Sequence, residues 1–129
     1  MNNARWDERN EMDEDGFKEE DIRAYLEQNG TIFLVCYDNG VFAGVASACI
    51  LLKPYGESWL YLDEIDVPVN MRKQGAGSLM MKELFEIARK KGCVEVLVGT
   101  EKDNKIAQSF YESLQPTEVE EFVGYTFKL

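Results

Sequence analysis

The fold of this chain is decided by residues 60–67, LYLDEIDV, and by the loop that follows at residues 72–77, RKQGAG. Leu60, Leu62 and the apolar residues near the end of the first segment are typical of a buried strand. From Gly77 onward the pattern of apolar residues becomes helical. The stretch therefore predicts a strand, a glycine-bearing loop and the start of a helix.

The loop has the chemistry of a phosphate site. Gly75 and Gly77 lack Cβ atoms, so the backbone can turn sharply and lie close to a ligand. The exposed N–H groups and the dipole of a helix start favour an anion, and Arg72 and Lys73 add positive charge. The spacing is neither that of the dinucleotide fingerprint nor that of the nucleotide-triphosphate loop. We interpret the loop as a cradle for a pyrophosphate, while a packing turn without a ligand is the structural alternative.

Length and charge limit the classes of function. The chain has 129 residues, 45% of them hydrophobic, which predicts a single domain over residues 1–129. Residues 1–16 are crowded with carboxylates, and we expect a flexible or loosely docked terminal segment there. The net charge of −10 argues against nucleic acid as a partner, because no basic face is available to neutralise phosphates. It suits a cationic partner, or else it serves solubility alone.

Several chemistries are excluded by what the sequence lacks. No apolar run approaches the roughly 20 residues that span a bilayer, so no membrane partner is expected. Met1–Glu8 has no signal-peptide core, which makes the cytoplasm the expected location. The chain has no histidine and 3 cysteines, so triad mechanisms and a metal site are not expected. Any proton acceptor must be a carboxylate, a tyrosine, a lysine or a relayed water.

The remaining pattern predicts the order α-β-β-β-α-β-α-β. Asn39-Gly40 is a hairpin turn signal, since both residues tolerate positive φ. Asp103 is the expected N-cap of the last helix. A hairpin-built antiparallel half followed by a strand–helix–strand unit predicts an α/β sandwich with a mixed sheet. The predicted elements are helices at 17–28, 77–91 and 104–114 and strands at 31–37, 41–53, 59–67, 93–98 and 119–129.

Three motifs in this order resemble the GCN5-related N-acetyltransferase (GNAT) family. The strand at 63–67 leading into RxxGxG at 72–77 resembles the family's acetyl-CoA pyrophosphate motif. The apolar strand at 93–98 is the second feature. The third is NxxAxxFYxxL at 104–114, which is similar to a helix of the family. The resemblance runs from about Phe17 to the C-terminus.

The resemblance implies a fold and a cofactor. The fold is α/β, with a mixed, mostly antiparallel central sheet that contains a splayed parallel strand pair and is flanked by helices. The cofactor is acetyl-CoA, with its pyrophosphate on backbone N–H groups and its pantetheine arm against the open strand. For Asn104, an ordinary polar residue at a helix start is the equal alternative. The cofactor-binding residues implied are Ile65, Asp66, Val67, Arg72, Lys73, Gln74, Gly75, Ala76, Gly77, Ser78 and Asn104.

Two side chains are candidates for proton transfer. An ammonium is not a nucleophile, so a carboxylate near the thioester is needed to take its proton. Glu64 is the first candidate, with Asp63 and Asp66 behind it; anchoring of the substrate amine or a structural role are the alternatives. Tyr111 is the candidate acid for the departing thiolate, because a phenol with a pKa of about 10 can donate a proton at neutral pH. The alternative for Tyr111 is an ordinary core tyrosine.

The function implied is N-acetylation of a primary amine on a small polycationic acceptor, by direct transfer in a ternary complex. An aminoglycoside suits the acidic chain best, and within the family the closest likeness is to the aminoglycoside 3-N-acetyltransferase (gentamicin acetyltransferase) branch. It is carried by residues 51–54, 61–65, 72–75 and 120–122. The alternatives are acetylation of a protein N-terminus or lysine, and a non-catalytic acyl-CoA-binding module.

Two features depart from the family pattern. The family usually begins with an extra strand that residues 1–16 do not clearly provide, and its Leu-Gly-Phe after the last helix is here Leu114-Gln115-Pro116. Many relatives are dimers, and the C-terminal strand could pair across such an interface. A homodimer is therefore one of the open expectations.

Overall fold

The computed structural model describes residues 17–129, so the flexible segment expected at residues 1–16 lies outside the described residues. The chain divides into two compact units, the first reaching Gly99 and the second comprising Thr100–Leu129. A single domain over the whole chain stays a prediction. None of the helices between residues 17 and 129 is long and apolar enough to cross a membrane.

The first unit is a sheet with a helix against each face. Its strands lie in the order β1-β2-β3-β4; the first two pairs are antiparallel and the last is parallel. The predicted α/β fold with a mixed sheet is therefore confirmed. The elements are α1 (Glu19–Glu27), β1 (Thr31–Asp38), β2 (Val41–Leu52), β3 (Ser58–Asp66), a 3-10 turn (Val69–Met71), α2 (Ala76–Lys90) and β4 (Cys93–Leu97).

The turn between β1 and β2 has the geometry expected from its two residues. Asn39 has φ 51° and Gly40 has φ 80°. Positive φ at both central residues matches the twist of the flanking strands, whereas a turn with negative φ would splay them. The prediction of a hairpin at Asn39-Gly40 is confirmed.

One face of the sheet is covered by α2, which contacts all four strands. Leu60 of β3 and Leu84 of α2 are fully buried, each contributing about 1.5–3 kcal/mol by removal from water. The helix ends as its sequence predicts, with Arg89 and Lys90 in the last turn, where they complement the dipole. Gly92 follows with φ 76°. The other buried residues of α2 are Ala76, Met80, Met81 and Ala88.

The opposite face is covered near β1 by α1. Ile22 is buried against Phe42 and Val45, and partly buried aromatic rings surround this cluster. The hydroxyl of Tyr25 donates to the carbonyl oxygens of Ile32, at 3.2 Å, and Ala48, at 2.8 Å. One side chain of α1 is thereby bonded to both β1 and β2.

The second unit contains one helix, α3 (Lys105–Ser113). Its N-cap is Asn104, whose Oδ1 accepts a hydrogen bond from the amide of Ala107 at 3.0 Å. Asp103, the expected cap, lies one residue too early. An amide side chain caps as well as a carboxylate does, so the sequence alone did not separate the two.

The closing strand predicted at residues 119–129 is wrong for the single chain. Residues 117–129 form no helix or strand, and their large apolar side chains are exposed. An alternating pattern specifies a strand only when a neighbouring edge supplies hydrogen bonds and a face to bury against. Within residues 100–129 the pattern has no such neighbour, since α3 is the only helix or strand that this part of the chain forms.

Candidate active site

The parallel pair of strands opens partway along its length. β3 and β4 pair from Ser58 with Cys93 as far as Tyr61 with Leu97. β3 continues to Asp66, so residues 62–66 have no β4 partner. The splayed pair implied by the family resemblance is confirmed. It leaves main-chain N–H and C=O groups of β3 without a β4 partner over residues 62–66.

A β-bulge lies at the beginning of this gap. Leu62 pairs with Ala48 and Glu64 pairs with Ser47, so Asp63 is an extra residue opposite the bond between them. The bulge changes which side chains share a face, because alternation restarts after the extra residue. Ile65 rejoins the face of Leu62, and Glu64 takes the opposite face. In the sequence, this bulge is indicated by the three-residue step between the apolar residues Leu62 and Ile65, since regular alternation gives steps of two.

The loop before α2 presents unbonded amides. Gly75 is the N-cap, with φ 90° and no side-chain cap bond. The first amide to donate within the helix is that of Leu79, to the Gly75 carbonyl at 2.9 Å. The amides of residues 74–78 donate to no group within residues 17–129. A Cβ on Gly75 would meet no atom within 4 Å, so the space beside this N-cap residue is open.

The two basic residues of the loop have different tasks. Arg72 donates from Nε to the carbonyl of Val67 at 2.9 Å, which fixes the turn that leaves β3. The other N–H groups of its guanidinium remain available as donors, and the guanidinium keeps its positive charge. Lys73 is exposed with φ 63°, a left-handed conformation that a lysine seldom adopts. Both charges therefore stay beside the free amides, and the main-chain carbonyl of Val67 is already bonded.

Glu64 is exposed on the sheet face that also carries Asp66, Tyr61 and Trp59. The register shows this, since their partners Ser47, Val45, Cys49 and Leu51 alternate along β2. The Glu64 carboxylate is accordingly open to solvent and to an incoming molecule. Ile65, Asp66 and Val67 are half-buried.

The ammonium group of Lys53 lies over the two aromatic rings of that face. The Lys53 Nζ lies 4.5 Å from the centre of the Trp59 ring and 5.7 Å from that of Tyr61. The indole Nε1 of Trp59 donates to Glu57 at 3.2 Å. Lys53 was not singled out from sequence, because its partners lie across a loop on the next strand. The Lys53 ammonium thus lies within cation–π distance of both rings.

The second unit holds the other two candidates, Asn104 and Tyr111. The cap bond of Asn104 confirms its structural role and leaves its amide nitrogen available. Tyr111 is half-buried, with its ring 5.2 Å from that of Phe110. Burial raises the pKa of the Tyr111 phenol above its ordinary value. The phenol is therefore protonated at neutral pH, as a proton donor must be.

No metal chemistry is indicated in the described part of the chain. Within residues 17–129, no three or more cysteine, aspartate or glutamate side chains are grouped so that they could hold a metal ion. The groups of this region that could bind a ligand or transfer a proton are free amides, an open strand edge and an exposed carboxylate.

Comparison with known sequences agrees with this geometry. A family model described as the acetyltransferase (GNAT) family matches residues 1–115. A thialysine N-epsilon-acetyltransferase from Bos taurus is 33% identical over 66 residues, 51% of this chain and 39% of that enzyme. The uncharacterized N-acetyltransferase YhfO from Bacillus subtilis (strain 168) is 27% identical over 105 residues, 81% of this chain and 70% of that protein. The match thus spans well under half of the bovine enzyme's length.

Solved structures show the same architecture. An aminoglycoside acetyltransferase from an uncultured soil metagenomic sample, in complex with trehalose, has a TM-score of 0.81 at 25% identity, covering 88% of this chain and 75% of its own. An aminoglycoside N-acetyltransferase, AAC(6')-Iy, in complex with CoA has a TM-score of 0.80 at 20% identity, covering 100% of this chain and 97% of its own. The second likeness is one of fold alone.

Proposed function

This chain belongs to the acetyltransferase (GNAT) family, and from that premise we propose that it transfers an acetyl group from acetyl-CoA to a primary amine of a small polycationic acceptor, by direct transfer in a ternary complex. The observation that carries the proposal is the open edge of β3 running into a helix start with free amides. A strand edge that leads to an anion cradle suits a long cofactor in which a pantetheine arm joins a diphosphate to a thioester.

The residues fit this cofactor. The free amides at 74–78 and the charges of Arg72 and Lys73 suit the diphosphate. The main chain at residues 65–67 has no β4 partner, and its groups other than the Val67 carbonyl, which accepts from Arg72, suit the amide groups of the pantetheine arm, as an added strand would. Bound there, acetyl-CoA supplies an acyl group already activated as a thioester. Asn104 is proposed as a further contact through its free amide nitrogen.

The chain's own groups supply the proton transfers and the stabilisation of charge. Glu64 takes a proton from the acceptor ammonium, directly or through a water, and its exposure leaves room for either. A main-chain N–H of residues 65–67 donates to the carbonyl oxygen as that oxygen gains charge. Tyr111 donates a proton to the thiolate as it leaves, and its raised pKa keeps the phenol protonated at neutral pH until then.

The acceptor is argued from charge. Glu57, Asp63 and Glu64 are exposed, and the chain carries a net charge of −10, so several ammonium groups would meet carboxylates on one strand and its preceding loop. An aminoglycoside is the sharpest candidate, and the solved structures above include enzymes that bear this name. The 3-N branch stays a prediction, since AAC(6')-Iy is by name a 6'-N enzyme. A cytoplasmic homodimer completes the proposal.

Release of free thiol, measured with dithionitrobenzoate, tests the function. Kanamycin, gentamicin, spermidine, thialysine and a lysine peptide are offered in parallel with acetyl-CoA. We expect turnover with at least one small polycation and none with the peptide. Turnover with the peptide alone would replace the acceptor class with protein lysine. Binding of acetyl-CoA without turnover on any amine would make the chain a non-catalytic acyl-CoA-binding module.

A further inference from the structure

Gly44 lies in β2, beside the point where β3 ends and the chain turns toward the loop before α2. Asp66, the last residue of β3, pairs with Val45, and Gly44 is the next residue along β2. Gly44 is buried. Its position therefore adjoins the junction between the open strand and the helix start, which are the two parts of the proposed cofactor site.

Atoms of three neighbouring residues crowd the place where a side chain on Gly44 would begin. A Cβ at this position would lie 2.8 Å from Cε of Met80 in α2. It would lie 2.9 Å from the carbonyl oxygen of Asp66 and 3.3 Å from Cγ2 of Val67. Carbon atoms make their best contacts at about 3.5–4.0 Å. Even the methyl group of alanine therefore has no room here unless a neighbour moves.

These neighbours differ in how easily they can move. Met80 ends in a flexible thioether, so its Cε could turn away, although the residue is only 3% exposed. The Asp66 carbonyl belongs to the main chain, and its displacement would move the strand itself. The next residue is also held, because the Val67 carbonyl accepts a hydrogen bond from Arg72 at 2.9 Å. The absence of a side chain on Gly44 therefore sets how closely the end of β3 approaches β2.

Both parts of the proposed cofactor site pack against this glycine. The end of β3 carries the main-chain groups proposed for the pantetheine arm. Met80 lies about one turn inside α2, whose first amides are proposed for the diphosphate. A cofactor that is bound at both places is sensitive to the distance between them, and a misplacement of about 1 Å can cost about 10²-fold in rate.

We propose that Gly44 is a positioning residue for acetyl transfer. Because it has no side chain, it sets the distance between the groups that hold the pantetheine arm and those that hold the diphosphate. It acts through Asp66, Val67 and Met80 and contacts neither the cofactor nor the acceptor. The inference rests on the cofactor site proposed above and adds to that site a residue from a different strand.

Binding of a whole and a partial cofactor to Gly44→Ala tests the proposal. The affinity for CoA, measured by isothermal titration calorimetry, should fall about tenfold or more, because CoA engages both parts of the site. ADP has a diphosphate without a pantetheine arm. Its affinity, measured by NMR titration of the amides of residues 74–78, should remain as in the wild type, since the helix start is unchanged within itself.

Further variants separate positioning from packing and from loss of folding. Gly124→Ala is the matched control, because a Cβ on Gly124 would meet no atom within 4 Å, and it should bind CoA as the wild type does. Met80→Leu removes Cε at nearly constant apolar volume. Combined with Gly44→Ala, it should raise the midpoint of urea unfolding above that of Gly44→Ala alone. The weaker CoA binding should persist, since the contact with the Asp66 carbonyl remains.

The possible results distinguish this inference from the proposed function. Gly44→Ala binding CoA as tightly as the wild type would overturn the positioning role and leave the cofactor site standing. Recovery of CoA affinity in the double variant would also overturn it, because crowding of Met80 would then explain the loss. The same holds if ADP affinity falls as far as CoA affinity, since the cradle itself would then be damaged. A wild-type chain that does not bind CoA would refute the cofactor site and this inference together.

Discussion

Gly75 gives the proposed cofactor site its shape at the scale of a single residue. Its φ of 90° lies in a region that side chains with a Cβ rarely adopt. The space where a Cβ would project is open, so nothing within residues 17–129 requires glycine for packing. What requires it is the conformation itself, which turns the following amides outward, and the room that a bound phosphate would occupy.

Gly75→Val should therefore weaken CoA binding by at least tenfold, as measured by isothermal titration calorimetry. Gly92→Val is the matched control. Gly92 lies after the other end of α2, has φ 76° and also faces open space. Both variants should lose about 1–3 kcal/mol of folding stability from backbone strain. Equal CoA affinities in the two would refute the cradle.

Glu64 is the residue on which the proposed proton transfer depends. Glu64→Gln keeps the shape of the side chain and removes its basicity. We expect kcat with the best acceptor to fall by about 10²-fold near neutral pH, with a smaller loss at alkaline pH as more of the amine is free. Glu83→Gln, an exposed change on α2, should leave the pH–rate profile as in the wild type. A Glu64→Gln profile that overlays the wild type would remove Glu64 from this role.

At the scale of elements, the sheet is shaped by a bulge and held by a helix. The extra residue Asp63 aims Glu64 away from the core just where β3 loses its β4 partner. On the antiparallel side of the sheet, the Tyr25 hydroxyl links α1 to both β1 and β2. Opening on one side of β3 is thus matched by firm pairing on the other.

Tyr25→Phe tests the hold of α1 on the sheet. Loss of the single hydroxyl donor that the Ile32 and Ala48 carbonyl oxygens share should lower the free energy of unfolding by about 1–2 kcal/mol at pH 7, as measured by urea denaturation. Burial, with smaller contributions from Cys49 and Asp63, raises the pKa of Tyr25 in the folded state. Its stabilising contribution is accordingly complete below the unfolded pKa and is lost as pH rises through the folded value.

The difference between wild type and Tyr25→Phe should therefore shrink above about pH 10. Tyr55→Phe is the control, since Tyr55 is 65% exposed and should unfold as the wild type does at both pH values. A Tyr25→Phe variant as stable as the wild type at pH 7 would show that α1 is held by the Ile22 cluster alone.

At the scale of the whole molecule, the feature that matters most for ligand binding is the net negative charge. A net charge of −10 over 129 residues surrounds the chain with a field that attracts polycations and repels anions. The cofactor proposed here is itself an anion, so its site needs the local positive charge of Arg72, Lys73 and a helix start. Opposite signs in the two halves of one site favour a cationic acceptor beside an anionic cofactor.

Ionic strength should affect a polycationic acceptor more strongly than a monoamine acceptor. With a polycationic acceptor, kcat/KM should fall about tenfold as the Debye length shortens from ~30 Å to below ~8 Å. A monoamine acceptor, tested as the control, should lose much less. A kcat/KM for the polycation that does not change with ionic strength would contradict recognition of the acceptor by the acidic surface.

The resemblance to the GNAT family, read from three motifs, is confirmed by the family match, and most elements lie within two residues of their predicted bounds. Three features are local properties that about ten residues suffice to specify. They are the positive φ of Gly75, the Asn39-Gly40 turn and the helical spacing of apolar residues in α2. The roles of Glu64 and Tyr111 stay predictions, because a role in catalysis needs a bound substrate to be observed.

The sequence by itself determined the order of helices and strands, the hairpin, and the loop that leads from β3 into α2. Only the tertiary structure decided where β3 parts from β4, that Arg72 bonds to Val67, that Lys53 lies over Trp59, and that residues 119–129 form no strand. The physical reason is that side-chain periodicity and turn chemistry are encoded locally, whereas pairing depends on a second strand that is distant in the chain.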